Sequence, residues 1–177
     1  METPTIPGRI HPKSLDNYLE IITRAVFQAG LSWAFIAERW AKFREAFCDF
    51  DVARVAAFTE ADFDRLSGMD GIVHSNRKIR ATIKNAQTIL ELDRSHGGFK
   101  KYLRSFQSYE ALSTDLRKRF KFLGEMSVWY VLFRVREPVP DFETWIKRIP
   151  GDHPRMREMV ELANTEDGPR FLSPSKG

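Results

Sequence analysis

Cysteine is almost missing from the sequence. The single Cys48 excludes an internal disulfide and any zinc site built on several thiolates, and points to a cytoplasmic setting. Long apolar runs are missing too: nothing approaches the roughly 20 residues that a membrane span needs. The opening METPTIPGRIHPK is polar and proline-bearing, unlike a secretory signal, so no membrane partner is expected. Apolar and polar residues never alternate in the manner of a half-buried strand, and no repeat or low-complexity stretch occurs.

What is present suits one globular unit. At 177 residues, with 42% hydrophobic and 12% aromatic side chains, the chain can bury a sizeable core but not two independent ones. The net charge of +4 is small yet unevenly placed. Residues 51–66 are acidic. Arg77, Lys78, Arg80 and Lys84 form one basic cluster, and Lys100, Lys101, Arg104, Arg117, Lys118, Arg119 and Lys121 form another. Such clusters suit a polyanion or, equally, the solvated faces of helices.

Helical spacing dominates. Ser14 is placed to cap a helix whose apolar face is Leu15, Tyr18, Leu19, Ile22, Val26 and Ala29, ended by Gly30. Trp33, Ile36, Trp40, Phe43 and Phe47 predict a second helix. Thr59 opens a short one through Leu66, and Ser75 or Asn76 opens a longer one bearing Ile79, Ile83, Ala86, Ile89 and Leu90. A break at HGG, a short helix from Phe99 and another starting at Ser113 follow. A hairpin near 120–127 pivots on Gly124 into a nearly all-apolar helix, Ser127 to Val135. EPVPDF then leads to a helix at 143–149, and Asp152 with Pro154 starts a last one through Ala163. The expected organisation is an extended segment at 1–13, one all-α domain at 14–165 and a loose tail at 166–177.

The order of a helix break at Gln28, GIVHSNRKIRATIKNA at 71–86, the hairpin FKFLGEMSVWYVL and a carboxylate after a proline-rich loop resembles the helix-hairpin-helix DNA glycosylase superfamily. QAGLSW (28–33), FREAFCDFD (43–51), VAAF (55–58), GFKKYLRSF (98–106) and RFKFLG (119–124) narrow the resemblance to the DNA-3-methyladenine glycosylase I family, over roughly residues 15–135. It implies a helix-hairpin-helix bundle that works as a monomer on double-stranded DNA and excises an alkylated, 3-methyladenine-like or otherwise damaged base. The corner Gln28, Gly30 and Leu31 would fill the gap left by an extruded nucleotide, with Trp33 and Phe27 beside the base pocket. Lys121, Gly124 and Ser127 would grip phosphate at a helix N-terminus, with Lys78 a further contact.

The chain also departs from that family. The position of the family's pocket carboxylate is Ala25, and its four histidines have no thiolate partners except Cys48, so the family's zinc site is not expected. No cofactor is implied, and a monovalent or divalent ion at the hairpin stays open. The superfamily's catalytic aspartate falls on Glu143 or on Asp141, either of which can equally serve the start of the next helix. The lyase lysine of bifunctional members falls on Met126, which excludes a Schiff-base step and implies a monofunctional enzyme. Glu125 faces either solvent or the pocket. Loss of the carboxylate at Ala25 keeps a second reading in view, a damaged-DNA-binding module without catalysis.

Overall fold

The computed structural model of the chain describes residues 8–154 together with 156, 157 and 160. Apolar residues three and four apart give the ten α-helices named below, further helical residues among 154–160 and no strand among the described residues, the all-α class that the periodicity predicts. α1 (Leu15–Gln28) is buried on every side from Ile21 to Gln28 and packs on α6 (Asn76–His96) and α9 (Glu125–Arg134). Ser14 sits at its N-cap without a side-chain bond; the Lys13 N–H donates instead to Asn17 Oδ1 at 2.7 Å. The second helix of the sequence pattern is two, α2 (Trp33–Glu38) and α3 (Trp40–Ala46), broken at Arg39.

After α3 the chain reverses through Cys48, Asp49 and Phe50, all in the left-handed region, and enters α4 (Val52–Ala56), capped by the Asp51 carboxylate. That reversal folds Phe50 onto Trp40, ring centroids 5.2 Å apart, in a stack that continues through Phe43 and Phe47. Each buried aromatic of this kind contributes about 2–3 kcal/mol of burial. α5 (Glu60–Ser67) carries a complete capping box between Thr59 and Asp62, and Ser75 caps α6. α7 (Phe99–Leu103) and α8 (Tyr109–Arg119) follow. Ser108 caps α8, not Ser113, which lies inside the helix with its side chain buried.

In α9 every residue from Val128 to Arg134 is buried, Arg134 included, and so is Val135 just after it. Arg134 Nε donates to the Gly8 carbonyl, Arg9 Nε to that of Phe133, and the Ile10 N–H to that of Arg134. Residues 8–10 are thereby stapled to the C-terminal end of α9. α10 (Phe142–Ile146) is held by stacking of Trp145 on Trp129 at 5.5 Å, with Trp129 Nε1 bonded to the Pro140 carbonyl. The predicted tail at 166–177 lies outside the described residues.

Candidate active site

The break after α1 is a backbone requirement. Gly30 has φ +76, where any side chain is strained, although a Cβ there would meet nothing within 4 Å. The Leu31 N–H closes the turn on the Gln28 carbonyl, and Ser32 caps α2. Lys78 reaches across from the first turn of α6 and donates to the carbonyls of Ala29, at 2.8 Å, and Phe27, at 3.4 Å. Its ammonium satisfies the open carbonyl end of α1, and burial lowers its pKa from the ordinary lysine value.

This corner forms one wall of a cleft of about 680 Å³. Ala25, Gln28, Leu31 and Trp33 line it from α1 and α2, Ser127 and Tyr130 from α9, and Asp152 and His153 from the turn after α10. Trp33 is half-buried and meets Tyr130 edge to face, centroids 5.3 Å apart. Gln28 is only 4% exposed, and its Nε2 is buried without a hydrogen-bond partner. His153 Nε2 is in the same condition. A concave, aromatic-edged space with a few unpaired polar atoms is what a small flat ligand requires.

The hairpin runs from Phe120 to Gly124 between α8 and α9. Asn85 of α6, 1% exposed, clasps it: its Oδ1 accepts from the Lys121 N–H at 2.8 Å and its Nδ2 donates to the Lys121 carbonyl at 3.1 Å. Gly124 is the N-cap of α9 and offers no side chain, so the first N–H groups of α9 have no cap from it. A Cβ at Gly124 would meet nothing within 4 Å, so the bare backbone matters only to something approaching from outside. Beside it, Phe122 stands exposed at φ +59 with the Arg77 guanidinium over its ring, in an open groove shared with Lys84 and Lys121.

Other predicted site residues lie elsewhere. Phe27 is fully buried against Phe43 and does not line the cleft. Glu125 faces away, paired with Arg117 in a separate depression. Asp141 accepts from the Thr144 N–H and hydroxyl as the cap of α10, and Glu143 is exposed in an ion pair with Arg157. Neither carboxylate lines the cleft. Three residues of the second basic cluster are likewise engaged: Arg104 pairs with buried Glu137, Arg117 with Glu125 and Arg119 with Asp115. Among the described residues no group of three or more His, Cys, Asp or Glu side chains is placed to hold a metal ion. Sequence reasoning missed Asn85, Tyr130, Asp152 and His153. The GDHP turn at 151–154 was the available signal for the last two.

Comparison with known proteins places this architecture. Residues 11–122 match the sequence profile of the methyladenine glycosylase family. DNA-3-methyladenine glycosylase 1 of Escherichia coli (strain K12) is 30% identical over 148 residues, 72% of this chain and 79% of that protein. DNA-3-methyladenine glycosylase of Haemophilus influenzae is 30% identical over 89 residues, so the match spans only 48% of that relative. Among solved structures, 3-methyladenine DNA glycosylase I from Staphylococcus aureus superposes with a TM-score of 0.64 at 28% identity, covering 75% of this chain and 81% of the other. A 3-methyladenine DNA glycosylase I solved in complex with 3-methyladenine gives 0.62 at 28%, covering 71% and 79%. The chain belongs to the methyladenine glycosylase family.

Proposed function

We propose that this chain is a monofunctional DNA glycosylase of base-excision repair that removes an alkylated, 3-methyladenine-like purine from double-stranded DNA. It acts as a cytoplasmic monomer. The observation that carries the reading is the cleft itself, which opens directly beside the Gly30–Leu31 corner and shares α9 with the hairpin. Leu31 enters the duplex and fills the space of the extruded nucleotide, while Gln28 and Gly30 set the corner's shape. Trp33 offers its π face to the base, and a ring that carries positive charge gains cation–π attraction there. Gly124, Ser127 and Lys121 hold the backbone phosphate at the start of α9. The glycosidic bond of a cationic purine is already weak, so positioning and exclusion of water carry much of the rate.

One observation favours a second reading, a damage-binding module without chemistry: the cleft floor at Ala25 carries no acid. Incubation of the wild-type protein with methylated duplex DNA, followed by chromatography of the released bases, separates the two. The glycosylase releases 3-methyladenine; the module releases nothing and binds an abasic-analogue duplex tightly.

A further inference from the structure

Apart from the Tyr130 phenol of α9, the ionisable groups of the cleft come from one turn. The wall that falls within the family match contributes Ala25, Gln28, Leu31 and Trp33, none of them titratable. The opposite wall lies beyond residue 122 and brings Asp152 and His153 on the turn from Gly151, whose φ of +102 reverses the chain, to Pro154. The imidazole folds back over Gly151, so that a Cβ built there would lie 3.9 Å from His153 Nε2. That nitrogen and Gln28 Nε2 are both shut off from solvent and both lack a partner, and they belong to two residues that line the same cleft. Buried polar atoms are rarely left so, and two of them on residues of one cleft leave hydrogen-bonding capacity there that no protein group uses. The Asp152 side chain is exposed and has no ion pair among the described residues.

We propose that Asp152 is the catalytic carboxylate of this glycosylase and that His153, together with Gln28, reads the edge of the extruded base. The inference rests on the glycosylase reading above. A purine edge offers ring nitrogens as acceptors and an exocyclic amine as donor. Gln28 Nε2 supplies a donor, and His153 Nε2 supplies a donor or an acceptor according to its tautomer. In the reaction the C1′–N bond breaks and its electron pair passes to the cationic purine, which leaves as the neutral base. The cation left on the sugar is stabilised by the Asp152 carboxylate. Water forms the new bond to C1′, and its proton passes to Asp152 and then to solvent, leaving an abasic site. The acid that the α1 wall lost at Ala25 is thus supplied from across the cleft.

The test compares wild type, Asp152→Asn and His153→Ala in three assays: single-turnover base release from methylated duplex, binding of an abasic-analogue duplex, and binding of free 3-methyladenine followed by the imidazole ¹⁵N resonances. Asp152→Asn is expected to slow release by about 100-fold or more with abasic-duplex affinity unchanged. His153→Ala is expected to weaken binding of the free base about tenfold, the loss of one hydrogen bond, and in wild type the base shifts the His153 ring resonances. Wild-type rates in Asp152→Asn, or a free base that binds without moving His153, overturn the inference and leave the glycosylase reading standing. Joint loss of release and abasic-duplex binding also overturns it, because the turn then only shapes the cleft. A wild type that releases no base overturns the glycosylase reading and takes this one with it.

Discussion

Asn85 holds the hairpin in place, and removing it tests whether DNA binding depends on that clasp. Asn85→Ala deletes both bonds to the Lys121 backbone. At a net contribution of about 1 kcal/mol each, the loss is about 2 kcal/mol; water can reach exposed Lys121, which keeps the cost below about 3 kcal/mol. With a urea m-value of about 2 kcal/mol/M, the unfolding midpoint drops by about 1 M. Asn85→Asp is more revealing. Its carboxylate can still accept from the Lys121 N–H but sets a second acceptor against the Lys121 carbonyl, in a site almost closed to solvent. Protonation restores the donor, so the folded pKa rises above the ordinary aspartate value of about 3.9. The folded state then binds the proton more tightly than the unfolded one. The stability deficit therefore shrinks as pH falls toward 4 and returns as pH rises through the folded pKa. Urea melts followed by circular dichroism at pH 7 and pH 5, with anisotropy of a labelled abasic duplex, read both effects. A wild-type midpoint and wild-type DNA affinity in Asn85→Ala would refute the reasoning.

Three further outcomes are expected. Lys78→Met frees the carbonyl end of α1 and weakens abasic-duplex binding about tenfold, the worth of a charge-assisted hydrogen bond, while the salt dependence of binding stays nearly unchanged; a slope reduced by about one would instead place Lys78 on a phosphate. Gly30→Ala forces a side chain into the left-handed region and costs about 1–2 kcal/mol, a drop of about 3–6 °C in Tm, with Gly30→Asn milder; a calorimetric scan that shows no difference between the two contradicts the backbone argument. Burial, reinforced by Glu137, pushes the Tyr18 hydroxyl up to about 12, and burial likewise raises Tyr102, which donates to Asp115, and Tyr109. Between pH 10 and 12 the unfolded chain loses protons that the folded chain keeps, so stability falls as pH rises. Phenolate absorbance of these three residues is expected to grow together with loss of helix, and ionisation near pH 10 with the helices intact would contradict it.

The corner at Gln28–Leu31 was legible because Gly30 interrupts a strong periodicity with a residue whose backbone freedom the turn uses. The break at Arg39 was not, since a one-residue kink leaves the spacing of Trp33, Ile36, Trp40 and Phe43 almost intact. Residues 48–50 hide a reversal behind side chains that normally avoid left-handed backbone, and it exists because Phe50 gains the face of Trp40. Ser113 looked like a cap because local sequence cannot say that its hydroxyl is buried, whereas Ser108, on the exposed side, does the capping. Carboxylates were the hardest to place. Asp141 and Glu143 stand where a superfamily pattern calls for an acid, yet one caps α10 and the other meets Arg157. Asn85 acts on a partner 36 residues away, and no periodicity announces such a pairing.

α9 joins three tasks on one rod. Its first turn faces the place assigned to phosphate, Tyr130 walls the cleft, and Arg134 is fastened to residues 8–10. At 1.5 Å of rise per residue, Ser127 and Tyr130 are separated by about 4.5 Å along the axis. Because everything from Val128 to Val135 is locked in the core, that separation cannot be adjusted when a strand arrives. In the proposed function the helix is a ruler between backbone and base. On that reading a nucleotide gripped at the hairpin would either fit the measured interval when it swings out or stay in the duplex, so that rejection of poorly fitting bases would be set by a length fixed before DNA is met.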